Sequence, residues 1–254
     1  MGAVYCKEDS QINPLNTTLA FAHHAQKQGA CIIRNTSVED IEIKKGEIRA
    51  VKTEKGKIAA EKVINTAGAW APKISKMAGI DIPIKPRRGQ LLVSEEMPEL
   101  IKGTLLDAKY ITSKYSTNPE NKEGEMGVGL SLTQTQAGNL LIGGCRQFSG
   151  YNKSTSYYAF QAIMKNAVKM IPFLKEINII RSFAGLRPYT PDGKPILGKV
   201  PGIKGLYIAA GHEGDGIALA PVTGKIISQI IAGEATGIKP EIFKENLSLK
   251  RFIS

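Results

Sequence analysis

Cysteine is scarce in this chain. Cys6, Cys31 and Cys145 are odd in number, widely spaced and form no CxxC pair. That argues against a disulfide framework or a structural zinc site and for a reducing compartment. Histidine is as scarce, and His23, His24 and Cys31 lack the spacing of a metal-ligand set, so no metal site is expected. No apolar run approaches the length needed to cross a bilayer, and no signal-peptide core opens the sequence. A cytoplasmic protein is expected. Internal repeats and low-complexity segments are also missing, which excludes solenoid and fibrous classes.

What is present fits an ordinary globular protein. With 254 residues, 42% of them hydrophobic and 22% charged, the chain can bury a substantial core as one large domain or two interleaved ones. The net charge of +11 raises the question of nucleic acid. Yet Lys44, Lys45, Lys52, Lys55, Lys57 and Lys62 alternate with acids along hairpin-like segments. That is the pattern of a solvated face, and no recognised nucleic-acid module accompanies it.

The order of elements is that of two compositional regions, the second inserted into the first. "LNTTLAFAHHAQKQ" (15–28) has helical spacing ended by Gly29, and "ACIIRNTSV" reads as a strand. "EDIEIKKGEIRAVKTEKGKIAAEKVINTAG" reads as three short alternating strands with turns at Lys45-Gly46 and Lys55-Gly56, the last at 63–66, then a short helix near 72–77. From Ile80 the composition changes. "DIPIKPRRGQLLV" is extended, "GVGLSLTQTQAGNLLIGGC" is two strands around Ala137-Gly138-Asn139, and "STNPENKEGE" (116–125) is an exposed loop. "TSYYAFQAIMKNAVKMIPFL" is an amphipathic helix stopped near Pro172. The buried strand "GLYIAAG" and a second amphipathic helix return the chain to the first pattern.

Between that strand and helix stands "GHEGDG", where Gly211, Gly214 and Gly216 surround Glu213 and Asp215. A glycine-rich strand-to-helix joint gathers backbone N–H groups at a positive helix end and lets a flat ligand approach. It is equally a tight turn with Asp215 as helix cap. Gly68 in "NTAGAW" is open to the same two readings. Arg187, in "FAGLRPYTPDGKPILG", has apolar neighbours, so its guanidinium needs an anion. Either a ligand carboxylate or an internal salt bridge supplies it.

"VINTAGAWAPKI", "PIKPRRGQLLV", "RSFAGLRPYTPDGKPILG" and "GLYIAAGHEGDGIALAPVTGKIISQIIAG" occur in that order. Together they resemble the carboxyl-terminal two thirds of the D-amino-acid-oxidase-like FAD-dependent oxidoreductases. Within that group the chain looks like the branch of glycine oxidase, the sarcosine oxidase β subunit, and the proline and D-hydroxyproline dehydrogenases. "LDAKYITSKY" and "LTQTQAGNLLIGGCRQFSGYN" resemble its dehydrogenase and β-subunit side more than the monomeric oxidases.

The resemblance implies α/β plus α+β architecture: an incomplete FAD-binding α/β domain (15–80 and 186–238) with an inserted antiparallel-sheet substrate domain (1–14 and 82–185). It implies FAD as cofactor, with Gly211, Glu213, Gly214, Asp215, Gly216 and Ile217 against the flavin ring. Glu213 and Asp215 would act through backbone amides, their carboxylates turned aside as caps or toward solvent. Ala67, Gly68 and Trp70 match the loop beside the dinucleotide, and Val38 matches the strand end near the adenine. Gly89 and Gln90 match the strand beside the flavin, and Arg187 matches the catalytic-site arginine that grips the substrate carboxylate. The implied reaction is oxidation of a small amino or imino acid (glycine, sarcosine, proline or an opine) to the imine. Such chemistry needs no Ser/His/Asp triad or paired carboxylates, and none is seen.

Two departures matter. The family's opening strand, GxGxxG turn and ribose-binding acid are not found in these 254 residues. The resemblance then implies a fragment, split subunit or truncated product that holds FAD weakly alone and needs its amino-terminal half, another subunit or self-association. A non-catalytic assembly subunit is the alternative. Second, Pro14 stands where some β subunits carry a flavin-linking histidine, which argues against a covalent flavin there.

Overall fold

A computed structural model describes residues 3–108, 110–111 and 126–253. The loop expected at 116–125, and most of the second half of "LDAKYITSKY", lie outside these residues. In chain order the elements begin with α1 (Pro14–Lys27), β1 (Val38–Lys44), β2 (Glu47–Thr53), β3 (Gly56–Ala59), β4 (Val63–Asn65) and α2 (Ala71–Met77). β5 (Lys85–Glu96), β6 (Thr104–Leu106), β7 (Gly127–Gln134), β8 (Asn139–Phe148) and α3 (Tyr157–Met170) follow. The chain closes with β9 (Ile179–Tyr189), β10 (Ile196–Lys199), β11 (Leu206–Ala210), α4 (Gly216–Ala232) and α5 (Pro240–Asn246). These elements form two compact units whose boundaries fall after residue 32, inside β5 and inside β9.

One unit comprises residues 33–87 and 186–253. Its centre is a three-stranded sheet in the order β10-β11-β4, with β11 antiparallel to β10 and parallel to β4. Leu206, Tyr207 and Ile208 of β11 are all buried, as a strand covered on both faces requires. β1, β2 and β3 form a separate antiparallel meander. Its first turn, Lys45-Gly46, has positive φ at both residues, the geometry that matches strand twist in a two-residue hairpin. Ile41 and Ile48 of the meander join Ile82, Ile84, Ile196, Leu206 and Ile208 in one core. A second cluster seats α4 through Ile226 and Ile227 against Leu197, with Phe243 of α5 packed beside them.

The other unit comprises residues 88–185 together with the first 32. Its five-stranded sheet has the order β6-β7-β8-β5-β9, with β6, β7 and β8 successively antiparallel. Helix α3 buries Ala159, Ile163 and Ala167 at i, i+4 and i+8, and Leu92, Leu132 and Ile142 complete that core. Ser156 caps the helix by accepting from Ala159 N at 3.2 Å. The fold is thus α/β in one unit and α+β in the other.

The structure differs from the sequence reading in three places. Residues 30–37 form no strand, and the ladder starts at Val38. Toward the meander the run has only single contacts, Glu54 N donating to Ser37 O and Lys55 Nζ to Arg34 O, both at 3.3 Å, and an extended run without a ladder is not a strand. Helix α1 lies with residues 88–185 rather than with 33–80, and it buries no residue at all, so no core claims it. β9 and β10, in and after the segment holding Arg187, went unrecognised because Gly185 and Pro188 interrupt β9 and β10 is only four residues long.

Candidate functional site

The carboxyl ends of parallel strands β4 and β11 point the same way, and the loops that leave them carry most of the sequence-predicted residues. Ligands in open α/β sheets bind at this end. After β4, buried Asn65 shapes the exit. Its Nδ2 donates to Ala71 O at 2.8 Å and to Ser75 Oγ at 3.0 Å, and its Oδ1 accepts from Ala67 N at 3.2 Å. Gly68 then turns with φ +54, with nothing inside the chain within 4 Å of where a Cβ would sit. Trp70 closes the short 3-10 turn, partly exposed. Val38 opens β1 opposite Thr53.

After β11 the three glycines separate into two kinds. Gly211 has φ +89, and a Cβ there would stand 2.7 Å from Thr190 Cγ2 and 3.4 Å from Ile84 Cδ1. The protein's own packing requires that glycine. Gly214 and Gly216 have ordinary φ, and their nearest would-be contacts are 3.9 Å (Arg187) and 3.4 Å (His212 Cβ). Neither a positive φ nor internal crowding among the described residues accounts for these two bare positions at a helix start. Asp215 occupies the cap position of α4, but its side chain makes no capping bond, and the helix has no acid in its first turn. The N–H groups that open this 17-residue helix thus receive no side-chain hydrogen bond from the cap residue.

Glu213 does not behave as the sequence led us to expect. Its carboxylate is neither a cap nor turned to solvent: the side chain is only 5% exposed and pairs with Arg87, itself 4% exposed. Arg87 reaches Glu213 Oε1 with both Nε, at 3.2 Å, and Nη2. Gly214 N donates to the other carboxylate oxygen. Arg187, 21% exposed, brings its Nε to 3.9 Å from the same Oε1, and Arg87 stacks over the Tyr189 ring at 4.7 Å. Glu213 also has φ +49, a left-handed conformation costly for a residue with a Cβ. Its backbone N donates to Pro188 O at 3.1 Å, so the ion pair and this bond hold the strained residue. Arg187 thus has part of the internal salt bridge considered from sequence, while Arg87 takes the close contact.

His212 is half-buried, with Nε2 2.9 Å from Thr223 Oγ1, which ties the loop to the second turn of α4. Burial pushes its pKa below the usual histidine value, and the nearby Asp215 carboxylate opposes this in part. Ile217 is exposed at the start of α4.

Gly89 and Gln90 belong to the other unit. There Gln90 Oε1 accepts from Ser156 N at 2.9 Å, and Arg88 donates to Ser154 O at 2.9 Å and to Gln147. These two residues latch the start of α3. Arg87, Tyr189 and Asn65 were missed by sequence reasoning. A signal for Arg87 did exist: a second arginine in an apolar strand demands a buried acid, and the glycine loop held one.

A family model described as DAO, FAD dependent oxidoreductase, matches residues 1–230. The chain belongs to this family, whose cofactor is FAD. It is 33% identical over 236 residues to hydrogen cyanide synthase subunit HcnC of Pseudomonas protegens, covering 92% of this chain and 52% of that one. The structure of L-proline dehydrogenase from P. horikoshii is similar with a TM-score of 0.80 at 30% identity, over 94% of this chain and 59% of the other. That of glycine oxidase from Geobacillus kaustophilus follows with 0.78 at 26% identity, over 93% and 57%. The chain spans about half the length of the curated relatives it matches. Among the described residues no helix is long and apolar enough to cross a membrane, and no group of His, Cys, Asp and Glu could hold a metal.

Proposed function

We propose that this chain supplies the flavin-facing and carboxylate-gripping part of an FAD-dependent amino-acid oxidoreductase acting on a small amino or imino acid of the glycine, sarcosine, proline or opine type. The observation that carries this reading is the pair of glycines, 214 and 216, that neither a positive φ nor a close contact among the described residues requires, at the start of α4 beside Arg187. FAD, when bound, accepts a hydride from the carbon bearing the amine. The backbone amides at the start of α4 stabilise negative charge. Gly68 and Ala67 offer backbone at the neighbouring strand end. Arg187 grips the substrate carboxylate and so fixes the reacting carbon. In this reading 33–87 and 186–253 form the FAD-binding domain and 88–185 the substrate domain.

The chain works in assembly. No GxGxxG occurs in its 254 residues, so the diphosphate finds no helix N-terminus of the usual kind, and we expect weak FAD binding by the chain alone. Apolar surface waits for cover: Ile64 on the edge strand β4 is 41% exposed and Ile217 on α4 is 54% exposed. A GxGxxG-bearing segment, another subunit or a second copy would cover it. The same apolar surface favours a second reading, a subunit that serves assembly without catalysing.

Turnover of a completed enzyme separates the two, and Arg187→Ala tests the carboxylate grip. In an enzyme completed with a GxGxxG-bearing amino-terminal segment from a relative, the substitution should lower kcat/KM through KM. Removing one partner of a buried charged pair costs about 2–5 kcal/mol, which at 1.4 kcal/mol per decade is roughly 30- to several-thousand-fold. Arg187→Lys should recover only part, since an ammonium lacks the planar fork. A fall in melting temperature with unaltered KM would instead make Arg187 a structural ion-pair residue.

A further inference from the structure

The lysines whose alternation with acids reads as a solvated face do not all behave alike. Lys44 and Lys57 pair with Glu42, and Lys52 pairs with Asp40 at 2.7 Å. Lys45 and Lys62 instead line an open groove of about 840 Å³. Arg49, Lys199 and Lys204 line it too, with two acids, Glu47 and Glu61, which leaves a surplus of three positive charges. Glu47 is already shared, its carboxylate 2.9 Å from Arg49 Nη2 and 2.9 Å from Lys204 Nζ. Lys45, Lys62 and Lys199 are exposed, and none of them pairs with an acid among the described residues. The groove lies wholly within the unit of residues 33–87 and 186–253. Lys62 precedes β4 and Gly205 precedes β11, so it stands at the amino ends of these parallel strands, away from the loops that hold Gly68 and Gly211.

We propose that this groove binds a small oligophosphate anion. A cleft lined by one sign of charge raises the local concentration of the opposite sign. Its volume falls in the range of about 300–1,000 Å³ found for small-molecule sites. The type of cation then chooses between phosphate and carboxylate. Arginine's planar fork matches a carboxylate, whereas lysine is a compact point charge that suits phosphate. The groove's one arginine is engaged by Glu47, and every cation without an acid is a lysine. These three lysines come from three segments: the β1–β2 turn, the residue before β4 and the end of β10. Such a spread asks for several negative charges close together, which a chain of two or three phosphates provides. The floor argues against a nucleoside as the anchor. Ile48, Val200, Leu206 and Tyr207 are each at most 6% exposed, so the aromatic ring among them offers no face for stacking.

Tripolyphosphate is the probe, titrated into the full chain at fixed ionic strength and followed by calorimetry. One site should be seen. The triple variant Lys45→Gln/Lys62→Gln/Lys199→Gln should lower its affinity by about tenfold to a hundredfold, the worth of three exposed charge contacts acting together. Lys7→Gln/Lys27→Gln/Lys102→Gln removes the same charge from the other unit and should bind as the wild type does. Backbone amide shifts in the wild type should centre on residues 45–49 and 199–205. They need no variant, so they decide the matter if the groove variant fails to fold by circular dichroism. Equal losses in the two variants, or shifts scattered along the chain, would mean that the net charge of +11 attracts anions diffusely and would overturn the proposal, as would absence of binding. Tetraglutamate should bind more weakly than tripolyphosphate, and ATP no more tightly. Tighter tetraglutamate would make this a site for acidic peptide, and tighter ATP would make the nucleoside the anchor. Either result overturns the assignment to oligophosphate.

Discussion

The glycines of the 211–216 loop divide at the scale of single residues, and the division can be measured. Gly211→Ala forces a Cβ to 2.7 Å from Thr190 at a φ of +89. It should cost about 1–3 kcal/mol of overpacking, with added backbone strain. Gly214→Ala and Gly216→Ala meet nothing closer than 3.4 Å. Both should leave the melting temperature of the chain nearly unchanged, and Gly216, at the first helical position, should gain slightly from the better helix former. Their effect should appear in the completed enzyme as weakened FAD affinity. If Gly214→Ala and Gly216→Ala bind FAD as the wild type does, the flavin is not against these positions. His212 gives a pH dependence of known sign. Its folded-state pKa is depressed, so it contributes stability above the unfolded value near 6.5, and that contribution is lost as pH falls below this value through the folded pKa. Melting temperature should fall on acidification across this window, and less steeply in His212→Gln.

Elements show what the sequence can and cannot reveal. The meander, β11, α3 and α4 were legible because their apolar periods are strong and their ends carry glycine or proline, as at Gly233, the left-handed cap of α4. β9 was hidden because two breakers interrupt it, and 30–37 was overread because a strand needs a neighbour as well as a pattern. The candidate site was legible in its backbone but not in its charges. "GHEGDG" announces a loop, yet only the fold shows that Glu213 faces Arg87, 126 positions away in sequence. Helix α4 draws its stability from one short stretch: Ile226 and Ile227 are its only fully buried residues. Ile227→Ala should therefore cost about 2–5 kcal/mol, detectable as a lowered urea midpoint. A loss below 1 kcal/mol would mean that α4 is anchored mainly elsewhere.

The whole molecule is two units built from interleaved segments, with apolar residues still exposed on β4 and at the start of α4. A chain covering about half of its relatives' length should respond to what covers that surface. Amide exchange at β4, an edge strand, should be faster than at the central β11, and a bound amino-terminal segment should slow it selectively. Unchanged exchange would place the partner elsewhere. The most direct test of the account is flavin reduction. The chain is joined to a GxGxxG-bearing segment of a relative, loaded with FAD, and mixed without oxygen with glycine, sarcosine or proline while the flavin absorbance is recorded. The account predicts bleaching by at least one of these amino acids, abolished by Arg187→Ala while the oxidised spectrum stays intact. A fully loaded protein that no such amine reduces, or that bleaches equally well without Arg187, would contradict it.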